Sequence, residues 1–315
     1  MPESKTPHLP PAPLSGRKAT AKPSEGLGHA WPTFLALSPD EADLLSARVV
    51  LLPVPYDGTT SYMGGARYGP RAIITASAQM EDFDLELDRD IAKVGIFTAP
   101  ELVPDVSGPE AVVAAVRRSV AGYAKSGKVV GVLGGEHSVT VGAVRAFADL
   151  HPNLSVLYFD AHADLRDEYM GSRWSHACAA RRVLETCPVV HVGVRSLSEG
   201  ERRFIRQKRL PVTYWPETKG SRRELSERLL DGLSENVYVS VDLDVLDPSL
   251  MPAVGTPEPG GMSWGEVTGI LKAVGAARRI VGFDVMELSP REGPESCAYT
   301  AAKLTYKLIG YATSL

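Results

Sequence analysis

Two short stretches of this 315-residue chain carry the side chains best suited to chemistry, and the first is Asp-Ala-His-Ala-Asp at 160–164. It follows an apolar run, residues 154–159, that is typical of a buried strand. Because side chains alternate along an extended chain, Asp160, His162 and Asp164 point the same way. Such groups, if buried, must be paired or bind a metal, whereas a solvated strand end needs no partner. This stretch alone leaves both interpretations open.

The second stretch, Ser-Val-Asp-Leu-Asp-Val-Leu-Asp-Pro at 240–248, also sets two carboxylates on one face, those of Asp242 and Asp244. Without a cation, two carboxylates side by side at the end of a buried strand repel each other and stay partly protonated. His137, in Gly-Gly-Glu-His-Ser at 134–138, follows a third apolar run. Taken alone it is more typical of a structural histidine. The candidate metal ligands are therefore His137, Asp160, His162, Asp164, Asp242 and Asp244.

Four carboxylates and two imidazoles are more than one cation needs, so the set indicates two divalent cations with bridging carboxylates. The absence of a thiolate argues against structural zinc, and the oxygen-rich donors favour manganese, although zinc usually binds such sites more tightly. A two-metal site is typical of hydrolysis by an activated water.

Two further residues have types suited to catalysis. His176 lies just before a helical segment. A neutral imidazole near the metals could shuttle protons, but a histidine at a helix end with no catalytic role fits the pattern equally well. Glu287 ends the last apolar run, where a carboxylate could bind a planar guanidinium by charge-assisted hydrogen bonds. Asp284, in the same run, is better suited to supporting the site.

The elements that must position these residues alternate between apolar strand-like runs and amphipathic helices. The predicted strands are 47–53, 94–97, 129–133, 154–159, 189–194, 212–215, 237–241 and 280–283. The predicted helices are 70–80, 109–125, 139–150, 224–233, 263–277 and 296–311. The alternation predicts an α/β fold with parallel strands and with sites at their carboxyl ends. Eight strands suit a TIM barrel as well as an open sheet, and periodicity alone does not distinguish them.

Composition narrows the class of protein. The chain is 44% hydrophobic and 23% charged, with a formal net charge of -4, which gives no reason to expect nucleic acid or a membrane surface as a partner. Three cysteines without CxxC spacing favour a reducing cytoplasm, and neither a secretory signal nor a membrane-spanning run is visible. Residues 1–30, rich in Pro, Ser, Lys and Gly, are expected to be a disordered tail before a single domain over 31–315.

Four motifs together resemble the ureohydrolases, the arginase and agmatinase family: the three stretches above and Met-Glu-Leu-Ser-Pro at 286–290. The resemblance covers about residues 45–312. It implies an open, mostly parallel eight-stranded sheet flanked by helices, an arginase-like three-layer sandwich and not a TIM barrel. It also implies two Mn²⁺ ions per chain. The implied ligands are His137, Asp160, Asp164 and Asp242 for one ion, and Asp160, His162, Asp242 and Asp244 for the other.

The same resemblance implies a mechanism. A hydroxide that bridges the two ions, oriented by Asp164, would attack the guanidinium carbon of the substrate. Glu287 would hold the guanidinium, and His176 would act as proton shuttle. Collapse of the tetrahedral intermediate would release urea and an amine. Family members are commonly trimers or hexamers, so a homo-oligomer is expected.

The substrate prediction depends on departures from the arginase pattern. Arginases have Asn two residues after the last ligand of the Asp/His run, and here that position is Arg166. Segments 56–62, 69–73, 80–84 and 175–182 are similar to bacterial agmatinases. We therefore expect agmatine to be hydrolysed to putrescine and urea, a step of polyamine biosynthesis. Alternatives are a guanidinobutyrase, guanidinopropionase, arginase or formiminoglutamase, or a deacetylase or non-catalytic metal-binding protein on the same fold.

Overall fold

The computed structural model describes residues 32–217 and 221–314; the predicted tail, residues 1–30, lies outside them. The strands are β1 Val49–Val54, β2 Phe83–Asp84, β3 Arg89–Asp90, β4 Ile96–Thr98, β5 Val129–Gly134, β6 Leu154–Phe159, β7 Val189–Val194, β8 Val212–Tyr214, β9 Asn236–Asp242 and β10 Arg279–Met286. The helices are α1 Gly69–Ser77, α2 Pro109–Ala124, α3 Thr140–Ala148, α4 Ala179–Leu184, α5 Glu199–Lys208, α6 Arg222–Asp231, α7 Trp264–Ala277 and α8 Ser296–Ala312.

Eight of these strands form one open sheet in the order β4-β1-β5-β10-β9-β6-β7-β8, and every neighbouring pair is parallel. The expectation of an open, eight-stranded sheet is confirmed, and the TIM-barrel alternative is wrong. Within the described residues β4 and β8 lie at opposite edges instead of pairing to close a barrel. The short strands β2 and β3 form a separate antiparallel ribbon.

Helices cover both faces of the sheet, because the strand side chains alternate between two apolar cores. Val49 and Leu51 of β1 face a core shared with α1, α6, α7 and α8, whereas Val50 and Leu52 face a core shared with α2 to α5. The central strands are buried along almost their whole length, as expected for a parallel sheet covered on both sides. The result is the three-layer sandwich that the resemblance implied.

Two local predictions differ from the structure. The strand predicted at 94–97 begins at Ile96, because Ile91–Val94 forms a short 3₁₀ turn capped by the Asp90 side chain, which accepts a hydrogen bond from the Ala92 amide. Helix α5 was not predicted, since its sequence is strongly polar. Its signal was nevertheless present: Ser198 and Glu201 form a capping box, with Ser198 Oγ accepting from the Glu201 amide.

Candidate active site

Four adjacent strands end beside one another at one edge of the sheet. In the order β5-β10-β9-β6, they deliver His137, Glu287, Asp242 and Asp160 to neighbouring positions. All four residues are at least nine-tenths buried. Parallel strands have their carboxyl ends at the same edge, so the clustering follows from the sheet order.

The ligand atoms of the predicted metal site form two groups of three, each within 4.8 Å of one another: His137, Asp160 and Asp242, and Asp160, His162 and Asp244. His137 Nδ1 lies 3.2 Å from Asp160 Oδ2 and 3.1 Å from Asp242 Oδ2. His162 Nδ1 lies 2.9 Å from Asp244 Oδ2 and 3.5 Å from Asp160 Oδ1. Asp160 is thus common to both groups.

Asp164 lies beside the first group but belongs to neither. Its Oδ2 is 3.6 Å from His137 Nδ1 and accepts a hydrogen bond from Tyr158 Oη at 3.0 Å. Its backbone has a left-handed φ of 51°, which is costly for an Asp and is characteristic of functional positions. The sharp turn lets Asp164 face the cluster.

A chain of buried hydrogen bonds orients His137 from behind. Its Nε2 lies 2.8 Å from Ser240 Oγ, which donates to Asp284 Oδ1 at 2.7 Å. Asp284 also accepts from Tyr238 Oη at 2.8 Å. Because the Ser240 proton is committed to Asp284, Nε2 must donate to Ser240, and Nδ1 is the nitrogen that faces the carboxylates of the cluster. Burial opposes a charge on His137, but without a cation the carboxylates of Asp160 and Asp242 outweigh it and raise the pKa of His137 well above its ordinary value. Asp284 is therefore placed to support the site, as its strand position indicated.

The electrostatics of the cluster favour bound cations. Burial, and then repulsion from Asp160, raises the pKa of Asp164 well above its ordinary value. Burial, and then the carboxylates of Asp244 and Asp160, does the same to the pKa of Asp242. Asp160 Oδ2 is buried with no hydrogen-bond partner among the described residues. An imidazole nitrogen that faces carboxylates, an orphaned carboxylate oxygen and mutually repelling carboxylates fit divalent cations, so the residues present suit a metal centre.

Glu287 lies next to this cluster and also has a left-handed backbone, with φ 67°. Its Oε1 accepts a hydrogen bond from the His137 amide at 2.7 Å. Burial raises its pKa well above the ordinary value, and the carboxylates of Asp242 and Glu136 add to the shift. A buried carboxyl group whose ionised form lacks a full partner is suited to binding a cationic group, because the cation would stabilise the carboxylate.

The cluster opens into a polar cleft of about 300 Å³. His162, Asp164, Asp242, Asp244 and Glu287 lie on its wall, and the remaining lining residues include Ser61, Arg166, Tyr169, His176, Glu201 and Thr256. The Arg166 guanidinium stacks 4.8 Å from the centre of the Tyr169 ring, and its Nε lies 4.0 Å from Glu201 Oε2. Four of the six predicted ligands thus lie at the surface of one cleft. The other two, His137 and Asp160, lie behind its wall.

His176 also lines this cleft, and it is held by a residue that sequence reasoning did not single out. Thr59 Oγ1 accepts a hydrogen bond from the His176 amide at 3.0 Å and donates to Glu136 Oε1 at 2.6 Å. Glu136 is fully buried; burial raises its pKa to about 7, against hydrogen bonds from Ser138 and Thr59. Burial lowers the pKa of His176 below its ordinary value. Position within a motif was the only sequence signal for Glu136.

Among the residues that the structure describes, none of the helices combines the length and the apolar character needed to cross a membrane.

Comparison with known proteins gives consistent matches. The model of the arginase family matches residues 47–310. The N(1)-aminopropylagmatine ureohydrolase of Thermus thermophilus is 44% identical over 267 residues, which cover 84% of this chain and 90% of that protein. The agmatinase of Pyrococcus horikoshii is 39% identical over 270 residues, covering 85% of this chain and 93% of its own.

Solved structures show the same fold. The agmatine ureohydrolase of Thermoplasma volcanium superposes with a TM-score of 0.79 at 32% identity, covering 86% of this chain and 92% of that one. The family match over residues 47–310 includes all four strand ends that carry the candidate site.

Proposed function

This chain belongs to the arginase family, and we propose that it is a two-metal ureohydrolase that releases urea from the guanidinium group of an agmatine-type substrate. The observation that carries the proposal is the meeting of His137, Glu287, Asp242 and Asp160 at four adjacent strand ends. Such a site combines a place for cations with an anion for the substrate.

The proposed ligands are those expected from the sequence: His137, Asp160, Asp164 and Asp242 for one Mn²⁺, and Asp160, His162, Asp242 and Asp244 for the other. When bound, the two ions supply Lewis acidity, which activates water and polarises the substrate. The orphaned Oδ2 of Asp160 and the 3.1 Å approach of His137 Nδ1 to Asp242 support this assignment.

The chain's own residues supply the remaining chemistry. Glu287 accepts hydrogen bonds from the guanidinium and fixes its orientation. Asp164 accepts a hydrogen bond from the attacking water and aligns its lone pair. His176, on the cleft wall, carries the water's proton to the nitrogen of the leaving amine. Expulsion of a neutral amine requires that proton, so the transfer must accompany cleavage of the C–N bond.

Two substrates of this type differ in the group at the far end of the butyl chain. Agmatine has a primary amine there, and the sequence motifs favour it. N(1)-aminopropylagmatine has a secondary amine with a further aminopropyl group, and the name of the 44% identical relative favours it. The two share the guanidinium and linker, so the same reacting residues serve both. Arg166 in the position of the arginase Asn argues against arginine.

Urea release from a panel of guanidines tests the proposal. Manganese-loaded protein should release urea from agmatine or N(1)-aminopropylagmatine with a higher kcat/KM than from arginine, guanidinobutyrate or guanidinopropionate. Asp242→Ala should lose both metal and activity, whereas Asp149→Ala, at an exposed ion pair with Arg117, should keep both. No urea from any guanidine would refute the proposal, and acetate release from acetylated amines would favour the deacetylase alternative.

The proposal includes the broader sequence-based expectations: two manganese ions per chain, one domain over 31–315, a homotrimer or homohexamer, and a cytoplasmic location. Metal analysis of purified protein tests the first, and light scattering tests the subunit count.

A further inference from the structure

Thr59 lies between the buried carboxylate of Glu136 and the half-buried ring of His176, and its hydroxyl contacts both. Its amide donates to Glu136 Oε2 at 2.6 Å, and its Oγ1 donates to Glu136 Oε1 at 2.6 Å. The same Oγ1 lies 3.4 Å from His176 Nδ1 and accepts from the His176 amide. Thr59 therefore joins a buried carboxylate to the ring of the proposed proton shuttle.

Counting protons decides the role of each atom. A threonine hydroxyl has one proton, and the ionised carboxylate of Glu136, which has no proton of its own to donate, takes it. Toward the imidazole, Thr59 Oγ1 can only accept, so a hydrogen bond with Nδ1 requires the proton on Nδ1. The other ring nitrogen, Nε2, then carries the lone pair, 3.3 Å from Ser61 Oγ on the cleft wall.

The other polar groups near the ring do not select a tautomer. Ser175 Oγ lies 3.4 Å from Nδ1 and Ser61 Oγ lies near Nε2. Both hydroxyls can rotate to donate or accept. The Tyr169 ring meets the imidazole edge-on, with centroids 6.2 Å apart. Of the three hydroxyls beside the ring, Thr59 is the one whose proton is committed elsewhere.

We propose that Thr59 and Glu136 are positioning residues that hold His176 in the Nδ1–H tautomer, leaving Nε2 free toward the cleft. In this form Nε2 can take the proton released by the attacking water and pass it to the leaving amine. The catalytic consequence rests on the proposed function, whereas the tautomer does not. Burial keeps the ring neutral near neutral pH, so the tautomer determines which nitrogen is the base.

The tautomer can be read directly by ¹⁵N NMR of the full chain with labelled histidine. The chain has seven histidines, and His176→Asn assigns the relevant pair of signals. Spectra are recorded at mildly alkaline pH, metal-free and loaded with diamagnetic zinc. The expected result is a protonated Nδ1 and an unprotonated Nε2. A protonated Nε2 in both samples would overturn the proposal.

Glu136→Gln gives the sharpest variant. The Thr59 amide requires an oxygen opposite it, so the Gln oxygen takes the Oε2 position and its amide group faces Thr59 Oγ1. Thr59 then accepts from Gln and donates to Nδ1, which inverts the tautomer of His176. An unchanged tautomer in this variant, with the fold intact by circular dichroism, would contradict the proposal.

Thr59→Val removes the hydroxyl at nearly constant shape, and Thr59→Ser restores it. Thr60→Val is the matched control, because the adjacent Thr60 Oγ1 is buried without a partner among the described residues. Thr59→Val should leave a mixture of tautomers and lower kcat by about 10-fold, which is less than the 10²–10⁴-fold that acid–base catalysis contributes in full. KM and metal content should be unchanged. Thr59→Ser should restore the Nδ1–H tautomer.

The two proposals fail in different ways. Absence of urea from every guanidine, together with the expected tautomers, would refute the proposed function alone. If the wild type is active and Thr59→Val has the same kcat and the same NMR spectrum as Thr60→Val, the positioning role alone would be refuted.

Discussion

Ser240 links strand β9 to the proposed metal centre, and replacing it with alanine tests that link. Its side chain is fully buried on β9, between His137 Nε2 at 2.8 Å and Asp284 Oδ1 at 2.7 Å. Ser240→Ala removes the acceptor that keeps the proton of His137 on Nε2. The imidazole is then free to move its proton to Nδ1, the nitrogen that faces Asp160 and Asp242.

The size of the effect depends on the contacts that are lost. Removing a residue that orients a metal-binding histidine typically weakens metal affinity about 10–100-fold, which corresponds to about 1.4–2.8 kcal/mol. The metal-free chain is also destabilised. His137 loses its acceptor and Asp284 loses one donor, though Asp284 keeps Tyr238. Leaving buried polar groups unpaired costs about 1–3 kcal/mol.

The assay is competition with a fluorescent chelator for Mn²⁺, paired with urea unfolding of the metal-free chain. Ser155→Ala is the matched control: Ser155 is equally buried, near the amino end of β6, and accepts hydrogen bonds from the Ser234 amide and hydroxyl at 2.9 and 2.8 Å. The Ser155→Ala variant should lose stability and keep wild-type metal affinity. Wild-type affinity in folded Ser240→Ala, or an equal loss in the control, would refute the reasoning.

Three further predictions concern other parts of the chain. Glu287→Gln should lower kcat/KM for agmatine by about 10–100-fold without loss of metal, because a charge-assisted contact worth about 1.5–3 kcal/mol is weakened. Asp84→Asn should lower the unfolding free energy at pH 7 by about 1.5–3 kcal/mol. Burial opposes ionisation of Asp84, but Lys307, 2.8 Å away, the Leu87 amide and the charge of Lys303 together outweigh it and hold the pKa below its ordinary 3.8. A carboxylate with a lowered pKa stabilises the fold at pH values above its ordinary pKa, and this stabilisation is lost as the pH falls through the folded-state pKa. The difference in unfolding free energy between wild type and Asp84→Asn should therefore shrink at acid pH. Gly135→Ala should cost about 1–3 kcal/mol or more, because its Cβ would lie 1.9 Å from the backbone oxygen of Tyr56.

Each of these has an outcome that would count against it. Unchanged kcat/KM in Glu287→Gln would remove Glu287 from substrate binding. A pH-independent gap between wild type and Asp84→Asn in urea unfolding would show that ionisation of Asp84 contributes nothing. For the glycine, the control is Gly122→Ala in α2, where a Cβ meets nothing within 4 Å and Ala should stabilise the helix by about 0.5–1 kcal/mol. Equal stability changes in the two glycine variants would contradict the steric argument.

Much of the candidate site could be read from local patterns. The Asp/His run at 160–164 and the pair at 242 and 244 follow apolar strands directly, which places them at the carboxyl ends of β6 and β9. The expected alternation of side chains does not extend through both stretches, because Asp164 has a left-handed backbone and Asp244 lies in the 3₁₀ turn Leu243–Val245. The same local logic located the sheet strands to within about two residues at most ends. The bridging carboxylates, the choice of manganese and the roles of His176 and Glu287 were predictions from chemistry and resemblance, and they remain proposals.

Other features have no local signature, because they depend on contacts between distant residues. The order β5-β10-β9-β6 brings together strands that are far apart in the chain, and only that order sets Asp284 and Ser240 behind His137. Thr59 reaches Glu136 across 77 residues. Sequence alone therefore determined which residues could bind metal and at which strand ends they lie, since an apolar run and the polar residues that follow it are a local pattern. The tertiary structure decided which nitrogen of each histidine faces the cluster or the cleft, since that depends on hydrogen-bond partners supplied by other strands and loops.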